Sequence, residues 1–340
     1  MQTESRPLFD EPAQFRRRMT AIGISICVST GLMAAKFYAY HLTGSSAVLS
    51  DALESIINVV AAAFAAVSIW LAAQPPDADH PYGHGKIEFF SAGFEGALIV
   101  LAAIGIFNSG ISHLIRPQPL ANLQWGLAIL VGASMVNLIL GIGLVRFGKR
   151  ACSLALIADG RHVLTDVATS VGVVVGLLLV QLTGWLRLDG VVACMVGIHI
   201  LITGSRLVRQ SFSALMDKSD PRLLDEISQL LERHRPTVWI DIHQLRAWRS
   251  GNFVHIDLHL VLPRDLLLEA AHTQAKLVEQ LLINHFEGRA GVLVHMDPCE
   301  APECPACRQY RCSLRSREPV GTKGWDRHQL TLKKGDRRTD

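Results

Sequence analysis

Charged residues are scarce in the first two thirds of this 340-residue chain. Asp, Glu, Lys and Arg make up only 19% of all residues, whereas hydrophobic residues make up 49%. Most of the charged residues follow position 210, and long apolar runs fill the part before it. Runs of this length with so few charges argue against a protein that is water-soluble throughout. The composition predicts a membrane domain followed by a soluble domain.

A cleavable-signal pattern is also missing from the first residues of the sequence. Arg16, Arg17 and Arg18 lead directly into an apolar span that is too long for the core of a signal peptide. We therefore expect residues 1–18 to be a short segment in front of the first membrane helix. The net charge of +3 says little by itself, and we expect no nucleic acid among the partners.

Six apolar spans are each long enough to cross a bilayer as a helix. They cover about residues 19–41, 46–73, 88–112, 121–146, 152–182 and 186–209. Basic residues gather on one side of this topology, so the positive-inside rule places both termini in the cytoplasm. That side carries Arg16, Arg17, Arg18, Lys86, Arg146, Lys149, Arg150, Arg206 and Arg209, and the other has little beyond Arg116 and Arg187.

The soluble part follows the order α-β-β-α-β, which predicts a small α+β domain with helices on one sheet. Its predicted elements are helix 221–234, strands 237–248 and 252–262, helix 265–286 and strand 291–296. The final residues are basic and poor in apolar side chains, so we expect a mobile tail from 313 onward. The predicted domains are 1–18 (N-terminal segment), 19–210 (membrane domain), 211–298 (soluble domain) and 299–340 (Cys-rich and basic mobile tail).

A polar face interrupts the fifth span. Asp159, His162 and Asp166 follow one another at i, i+3 and i+7, so they share one face of a helix. Ionisable groups at membrane depth cost about 2.5 kcal/mol or more each and usually mark an ion path. One imidazole with nearby carboxylates suits a divalent transition metal. The alternative is a helix end in water, where the same groups would only be solvated.

The second span carries a polar face with the same spacing, formed by Asp51, Glu54 and Asn58. If the two spans pack together, Glu54, Asn58, His162 and Asp166 could supply four ligands at mid-membrane. In the alternative interpretation Asn58 only bridges two helices and Asp51 lies at the outer interface.

Four motifs, in their order and spacing, resemble those of the cation diffusion facilitator family of proton-coupled metal-efflux transporters. They are Ser50–Glu54, His80–Lys86, Ala158–Asp166 and Val294–Pro298, and together they run from the second span to the end of the soluble domain. The resemblance implies a homodimer with six membrane helices per subunit and a cytoplasmic, metallochaperone-like domain that binds metal.

The resemblance also implies a four-ligand transport site on the second and fifth spans, where His162 and Asp166 match the family as they stand. Family members usually have His or Asp at the position of Glu54 and Asp at the position of Asn58. The amide and the longer carboxylate are a departure from that pattern. Harder oxygen ligands relax a strict preference for zinc toward iron, cobalt, nickel or manganese.

Two further features lie near the predicted cytoplasmic surface. Asp77, His80 and His84 form a cluster in the first cytoplasmic loop, where the resemblance places a second metal site. A merely solvated loop is the alternative. Lys86 and Asp217 match positions that pair near the membrane surface in the family and help to lock the dimer, although either could be an ordinary interfacial charge.

The soluble domain contributes His243, His259, His272, His295 and Asp297 as candidate ligands. His295 and Asp297 are two residues apart on one predicted strand, so they share a face. Family members use matching positions for a pair of metal ions that bridges the subunits. A single histidine on a strand is more often structural, which remains the alternative for each of these side chains.

Four cysteines follow the last predicted strand in the pattern C-x4-C-x2-C-x4-C. Four thiols with a central C-x-x-C can close a tetrahedral zinc site, although this spacing is tighter than in an ordinary zinc ribbon and the family does not require it. Unliganded thiols are the alternative. The four residues are Cys299, Cys304, Cys307 and Cys312.

We therefore expect a multi-pass transporter of the cell (inner, cytoplasmic) membrane that exports a divalent transition metal, with protons as the counter-ion. Zinc is the metal expected in the soluble domain. A membrane-anchored metal sensor without transport is one alternative, and a membrane-embedded metalloenzyme is another. The sequence has no H-E-x-x-H motif or comparable hydrolase signature, so we expect no enzyme.

Overall fold

The computed structural model describes residues 12–43, 46–116, 124–185, 187–309, 312–321 and 324–332. The chain divides into two compact units between Met216 and Asp217.

Within the described residues, the first unit contains six long helices, one for each predicted span. Five of them hold segments that are long and apolar enough to cross a membrane, and α5 carries the polar face. The helices are α1 (Pro12–Thr43), α2 (Ser46–Ala72), α3 (Ile87–Ile115), α4 (Gln124–Arg150), α5 (Leu154–Thr183) and α6 (Arg187–Leu215). The predicted count of six membrane helices is confirmed.

Glycines set the closest helix contacts in this unit. A Cβ built on Gly190 of α6 would lie 2.6 Å from the carbonyl oxygen of Gly110 of α3, so only glycine fits there. A Cβ on Gly160 of α5 would lie 2.9 Å from the backbone nitrogen of Val145 of α4. Gly160 stands between Asp159 and His162, and its contact with α4 therefore places the polar face of α5 within the bundle.

The second unit has the predicted α-β-β-α-β order, and its fold class is confirmed. Strand β2 pairs antiparallel with β1 and parallel with β3, which gives the sheet order β1-β2-β3. Gly251 closes the β1–β2 hairpin with a φ of 63°, a conformation that favours glycine. The elements are α7 (Pro221–Arg233), β1 (Asp241–Ser250), β2 (Phe253–Leu262), α8 (Leu268–His285) and β3 (Ala290–Pro298).

One face of this sheet packs against the core, and the other carries polar residues. Ile256, Leu258 and Leu260 of β2 are buried in the core, whereas the alternate residues Asp257 and His259 point to the opposite face. This alternation is the reason that the histidines of neighbouring strands share a face.

The predicted mobile tail differs from the structure over its last described residues. A short 3₁₀ turn (Ala301–Ala306) follows β3, and helix α9 (Arg327–Thr331) packs against the domain. Trp325 and Leu330 are buried in its hydrophobic core. Two apolar anchors are enough to fix a segment that is otherwise polar, which average composition does not reveal.

A ring contact and a backbone hydrogen bond are among the contacts that hold this segment in place. The guanidinium carbon of Arg235 lies 3.9 Å from the centre of the Trp325 ring, a cation–π contact. Burial lowers the pKa of Arg235 to about 10, so the side chain stays charged at neutral pH. The backbone N–H of Gln244 donates to the carbonyl of Leu332 at 3.1 Å.

Candidate metal-binding sites

Asn58 of α2 meets His162 and Asp166 of α5 inside the first unit. The Asn58 amide nitrogen donates to the Asp166 carboxylate, and the Asn58 amide oxygen lies 2.8 Å from Nε2 of His162. All three side chains are buried, at 5–9% exposure. An amide oxygen, an imidazole nitrogen and a carboxylate oxygen thus converge between two helices, and each is a possible ligand for a divalent metal.

Asp159 has a different partner from the other two residues of its predicted face. The hydroxyl of Ser25 on α1 donates to its carboxylate at 2.7 Å, and both side chains are buried. The structure therefore joins Asp159 to α1, whereas His162 and Asp166 contact Asn58 on α2. The side chains of Asp51 and Glu54 lie outside the described part of α2, and their assignment as ligands stays a prediction.

Two further polar features of this unit were not predicted from the sequence. Glu95 of α3 is fully buried, and among the described residues neither of its carboxylate oxygens has a hydrogen-bond partner. Glu88 forms an ion pair with Arg18 and accepts a hydrogen bond from Ser153. The available signal for Glu95 was an acidic residue within an apolar span.

The loop between α2 and α3 brings its three predicted ligands together. His80 Nδ1 and His84 Nε2 lie 3.2 and 3.3 Å from the two carboxylate oxygens of Asp77. The ligand atoms of the three residues lie within 4.8 Å of one another. A backbone hydrogen bond from His80 is the main cause that lowers the pKa of Asp77, so this carboxylate is ionised at neutral pH. The three groups can therefore hold a cation at the loop surface.

Three histidines form a row across the sheet of the second unit. His243 of β1 is paired with His259 of β2, which is paired with His295 of β3. The ring centres are 5.0 and 4.5 Å apart along this row. The pairing register thus converts three distant sequence positions into one line of imidazoles.

Asp297 lies beside this row and contacts all three rings. One of its carboxylate oxygens is 3.2 Å from His243 Nε2 and 2.9 Å from His259 Nδ1, and the other is 3.3 Å from His295 Nε2. A β-bulge follows His243, with Gln244 in the left-handed region at φ 50°, and such bulges redirect the neighbouring side chain. His243, His259 and Asp297 are the three that lie close enough to share one ion.

Other predicted ligands are not brought together in this way. His272 lies exposed on α8 and is outside the group on the sheet. Lys86 belongs to the first unit and Asp217 to the second, and their pairing stays a prediction.

The four cysteines after β3 line a single cavity of about 210 Å³. Among the described residues, they do not form a group of three whose sulfur atoms lie within 4.8 Å of one another. The backbone of Ser316 hydrogen-bonds the Cys304 thiol and lowers its pKa. The cavity brings Cys299, Cys304, Cys307 and Cys312 to one place on the second unit.

Comparison with known proteins gives the same division of the chain. Residues 22–216 match the family model of the cation efflux transmembrane domain, and residues 220–299 match that of the cation efflux protein cytoplasmic domain. An uncharacterised transporter of Synechocystis sp. is 38% identical over 281 residues, which are 82% of this chain and 90% of that protein.

Named relatives extend the likeness. The cation-efflux pump FieF of Klebsiella pneumoniae is 31% identical over 289 residues, covering 83% of this chain and 92% of the pump. The pump of the same name from Serratia proteamaculans is 30% identical over 312 residues, covering 89% of this chain and its own full length. With both family models matched in order, the chain is a multi-pass membrane protein that belongs to the cation diffusion facilitator family of cation-efflux transporters.

Proposed function

We propose that this protein exports a divalent transition-metal ion from the cytoplasm across the inner membrane in exchange for protons. The observation that carries the proposal is the contact between Asn58, His162 and Asp166, three buried metal-ligand types on two helices of an apolar unit. Burying such groups at membrane depth costs free energy, so polar and ionisable residues in a membrane span usually mark an ion path.

The transported ion would take one donor atom from each of these side chains. Asp166 supplies a carboxylate oxygen, Asn58 an amide oxygen and His162 an imidazole nitrogen, and we propose Glu54 as the fourth ligand. Two or three oxygen ligands suit iron, cobalt, nickel and manganese as well as zinc. We therefore propose a site that is less selective for zinc than one built of histidine and aspartates alone.

Proton coupling follows from the chemistry of the same ligands. A metal ion binds neutral imidazole and ionised carboxylate, so protons and metal compete for His162 and Asp166. A histidine in water titrates near pH 6.5, about half a unit below neutrality, so modest pH differences across the membrane can shift this competition. Alternating access would then release the metal on the side where protons bind.

We propose that the soluble unit senses the metal and joins two subunits. The relevant support is the match to the cytoplasmic-domain model, together with the histidine row on the open face of the sheet. His295 is 64% exposed in its side chain and Asp297 19%, so ligands from a second subunit can reach them. The loop group of Asp77, His80 and His84 would hold metal ions near the entrance of the path.

Metal flux into proteoliposomes tests the proposal. Purified protein is reconstituted with a panel of zinc, iron, cobalt, nickel and manganese ions, with and without an imposed pH gradient. We expect uptake of at least one ion, and faster uptake when the lumen is acidic. The luminal pH should rise as the metal enters, because protons leave in exchange. Metal binding without flux under every gradient would contradict the proposal and favour the sensor.

A further inference from the structure

The cavity lined by the four cysteines has two walls of different origin. One wall is the loop between β2 and α8, which contributes Pro263, Arg264 and Leu266. The other wall is the segment after β3, and all four cysteines belong to it. Three of them lie beyond residue 299, where the match to the family's cytoplasmic domain ends. The β2–α8 wall therefore lies within the matched domain, whereas most of the cysteine wall lies beyond it.

Local backbone geometry around the central C-x-x-C suits a metal knuckle. The 3₁₀ turn ends at Ala306, and the N–H of Cys307 donates to the carbonyl of Cys304 at 3.3 Å. The N–H of Gln309 points at the sulfur of Cys307 at 3.5 Å. A backbone donor two residues after a cysteine stabilises a thiolate and orients its sulfur for coordination.

Two arginines supply positive charge at the same cavity. Arg264 donates to the carbonyl of Cys299 at 3.0 Å, and Arg315 donates to the carbonyls of Cys304 and Gln309 at 2.9 and 2.5 Å. Both arginines line the cavity. Four thiolates around a divalent ion carry a net charge of about −2, and neighbouring guanidinium groups offset such charge. Acidic residues also line the cavity, namely Asp265, Glu300 and Glu303.

We propose that Cys299, Cys304, Cys307 and Cys312 bind one zinc ion in a tetrahedral, all-thiolate structural site that fastens the C-terminal segment to the soluble unit. Zinc is the expected ion because soft thiolates select it over the harder metals that suit the transport ligands. All four cysteines line one cavity. Coordination would draw their sulfur atoms to the spacing of a closed site, since such sites are rarely complete without their metal.

The position of the cavity explains what the ion would stabilise. The cysteine segment continues to Val320, whose N–H donates to the carbonyl of Pro305 at 2.9 Å. The chain then reaches Trp325, whose N–H donates to Glu232 at 3.2 Å and whose ring is buried in the core. A zinc ion at the cysteines would fix the start of the segment whose end is held by Trp325.

Cobalt substitution in the full-length, reduced protein tests the proposal directly. Cobalt bound by thiolates gives intense charge-transfer absorption that His and Asp ligands do not give. Cobalt at the proposed transport site or at the histidine row therefore does not contribute to this absorption. We expect the wild type to show this absorption, zinc to displace it, and the variant Cys304→Ser with Cys307→Ser to lose it. Matched control variants are Cys27→Ser and Cys194→Ser, cysteines of the first unit whose loss should leave the spectrum unchanged.

A second measurement needs no substitution. Alkylation of the wild type, mapped by mass spectrometry with and without zinc, should show zinc-dependent protection of all four cysteines after β3 and none of Cys27. Equal alkylation in both conditions, or a cobalt spectrum without thiolate absorption, would overturn the proposal. Flux is measured on the same preparation. If the double cysteine variant loses its zinc but keeps normal flux, the cysteine site is structural. If the wild type shows the thiolate spectrum but no flux, that result counts against the transport proposal alone.

Discussion

The group between α2 and α5 and the histidine row on the sheet use similar side chains in opposite surroundings. Asn58, His162 and Asp166 are all buried between helices of one unit. On the sheet, exposure rises along the row from 2% at His243 to 64% at His295. An enclosed group can hold and release an ion within one subunit, whereas an open one is available to ligands from outside. This contrast separates the proposed transport site from the site proposed for sensing and assembly.

The largest effect is expected from Asp166→Ala. This change removes a buried charge and a coordinating oxygen, and it leaves the Asn58 amide without its acceptor. Even contacts outside the coordination sphere cost 10–100-fold in affinity, so we expect flux to fall by roughly 100-fold or more. The measurement is metal uptake by proteoliposomes that contain equal amounts of inserted protein.

Thr165→Val is the matched control for this experiment. Thr165 is buried one residue earlier on α5, and its hydroxyl donates to the carbonyl of Arg161 rather than to the polar group. The control should retain most of the flux. Normal flux in Asp166→Ala would refute the enclosed site, and equal loss in both variants would point to a folding defect.

Asp297→Ala should act strongly on the soluble unit and weakly on transport. Its carboxylate contacts three histidines, so its loss should lower the metal affinity of the soluble unit by roughly 10–100-fold. Flux at saturating metal should fall only several-fold, because the path between α2 and α5 is intact. Titration calorimetry and flux on one preparation separate the two effects. Asp257→Ala, a change on the same face of β2, is the control. If Asp297→Ala reduced flux as much as Asp166→Ala does, the two regions would not have separate roles.

In both regions the sequence predicts the helices and strands better than it predicts which elements pack against each other. Helical spacing correctly places Asp159, His162 and Asp166 on one side of α5. The structure then divides that side, with Asp159 facing Ser25 of α1 and the other two facing Asn58 of α2. Periodicity along one helix defines a direction, but which helix lies in that direction depends on tertiary packing such as the glycine contacts.

The soluble unit shows the same limit. Alternation predicts that His259 points away from the core, but the alignment of His243, His259 and His295 depends on strand register and on a parallel β3. Neither follows from pattern alone. Trp325 went unnoticed because one buried side chain hardly changes the composition of a polar segment, although it decides where that segment packs.

Asn58→Asp should sharpen the contrast by changing the enclosed group without dismantling it. The substitution restores the acidic ligand usual in the family and adds a negative charge beside Asp166. We expect a change of roughly tenfold in the relative transport rates of zinc and the other ions, comparable to a lost or gained supporting contact. Tighter binding of zinc could also slow its release. Competition between pairs of ions in the flux assay measures the change, and an unchanged metal profile with unchanged kinetics would exclude Asn58 as a ligand.

The smallest effect is expected from Asp77→Ala in the loop between α2 and α3. Asp77 links His80 and His84, but its side chain is about half exposed, and water and salt screen exposed charges. We expect the apparent KM for metal to rise about two- to fivefold while the maximal rate is retained, because the loop group concentrates ions without forming the path. Asp79→Ala, two residues further along the same loop, is the control. Flux measured over a range of metal concentrations gives the apparent KM and the maximal rate. A loss of maximal rate in Asp77→Ala would contradict the prediction and indicate that the loop belongs to the ion path.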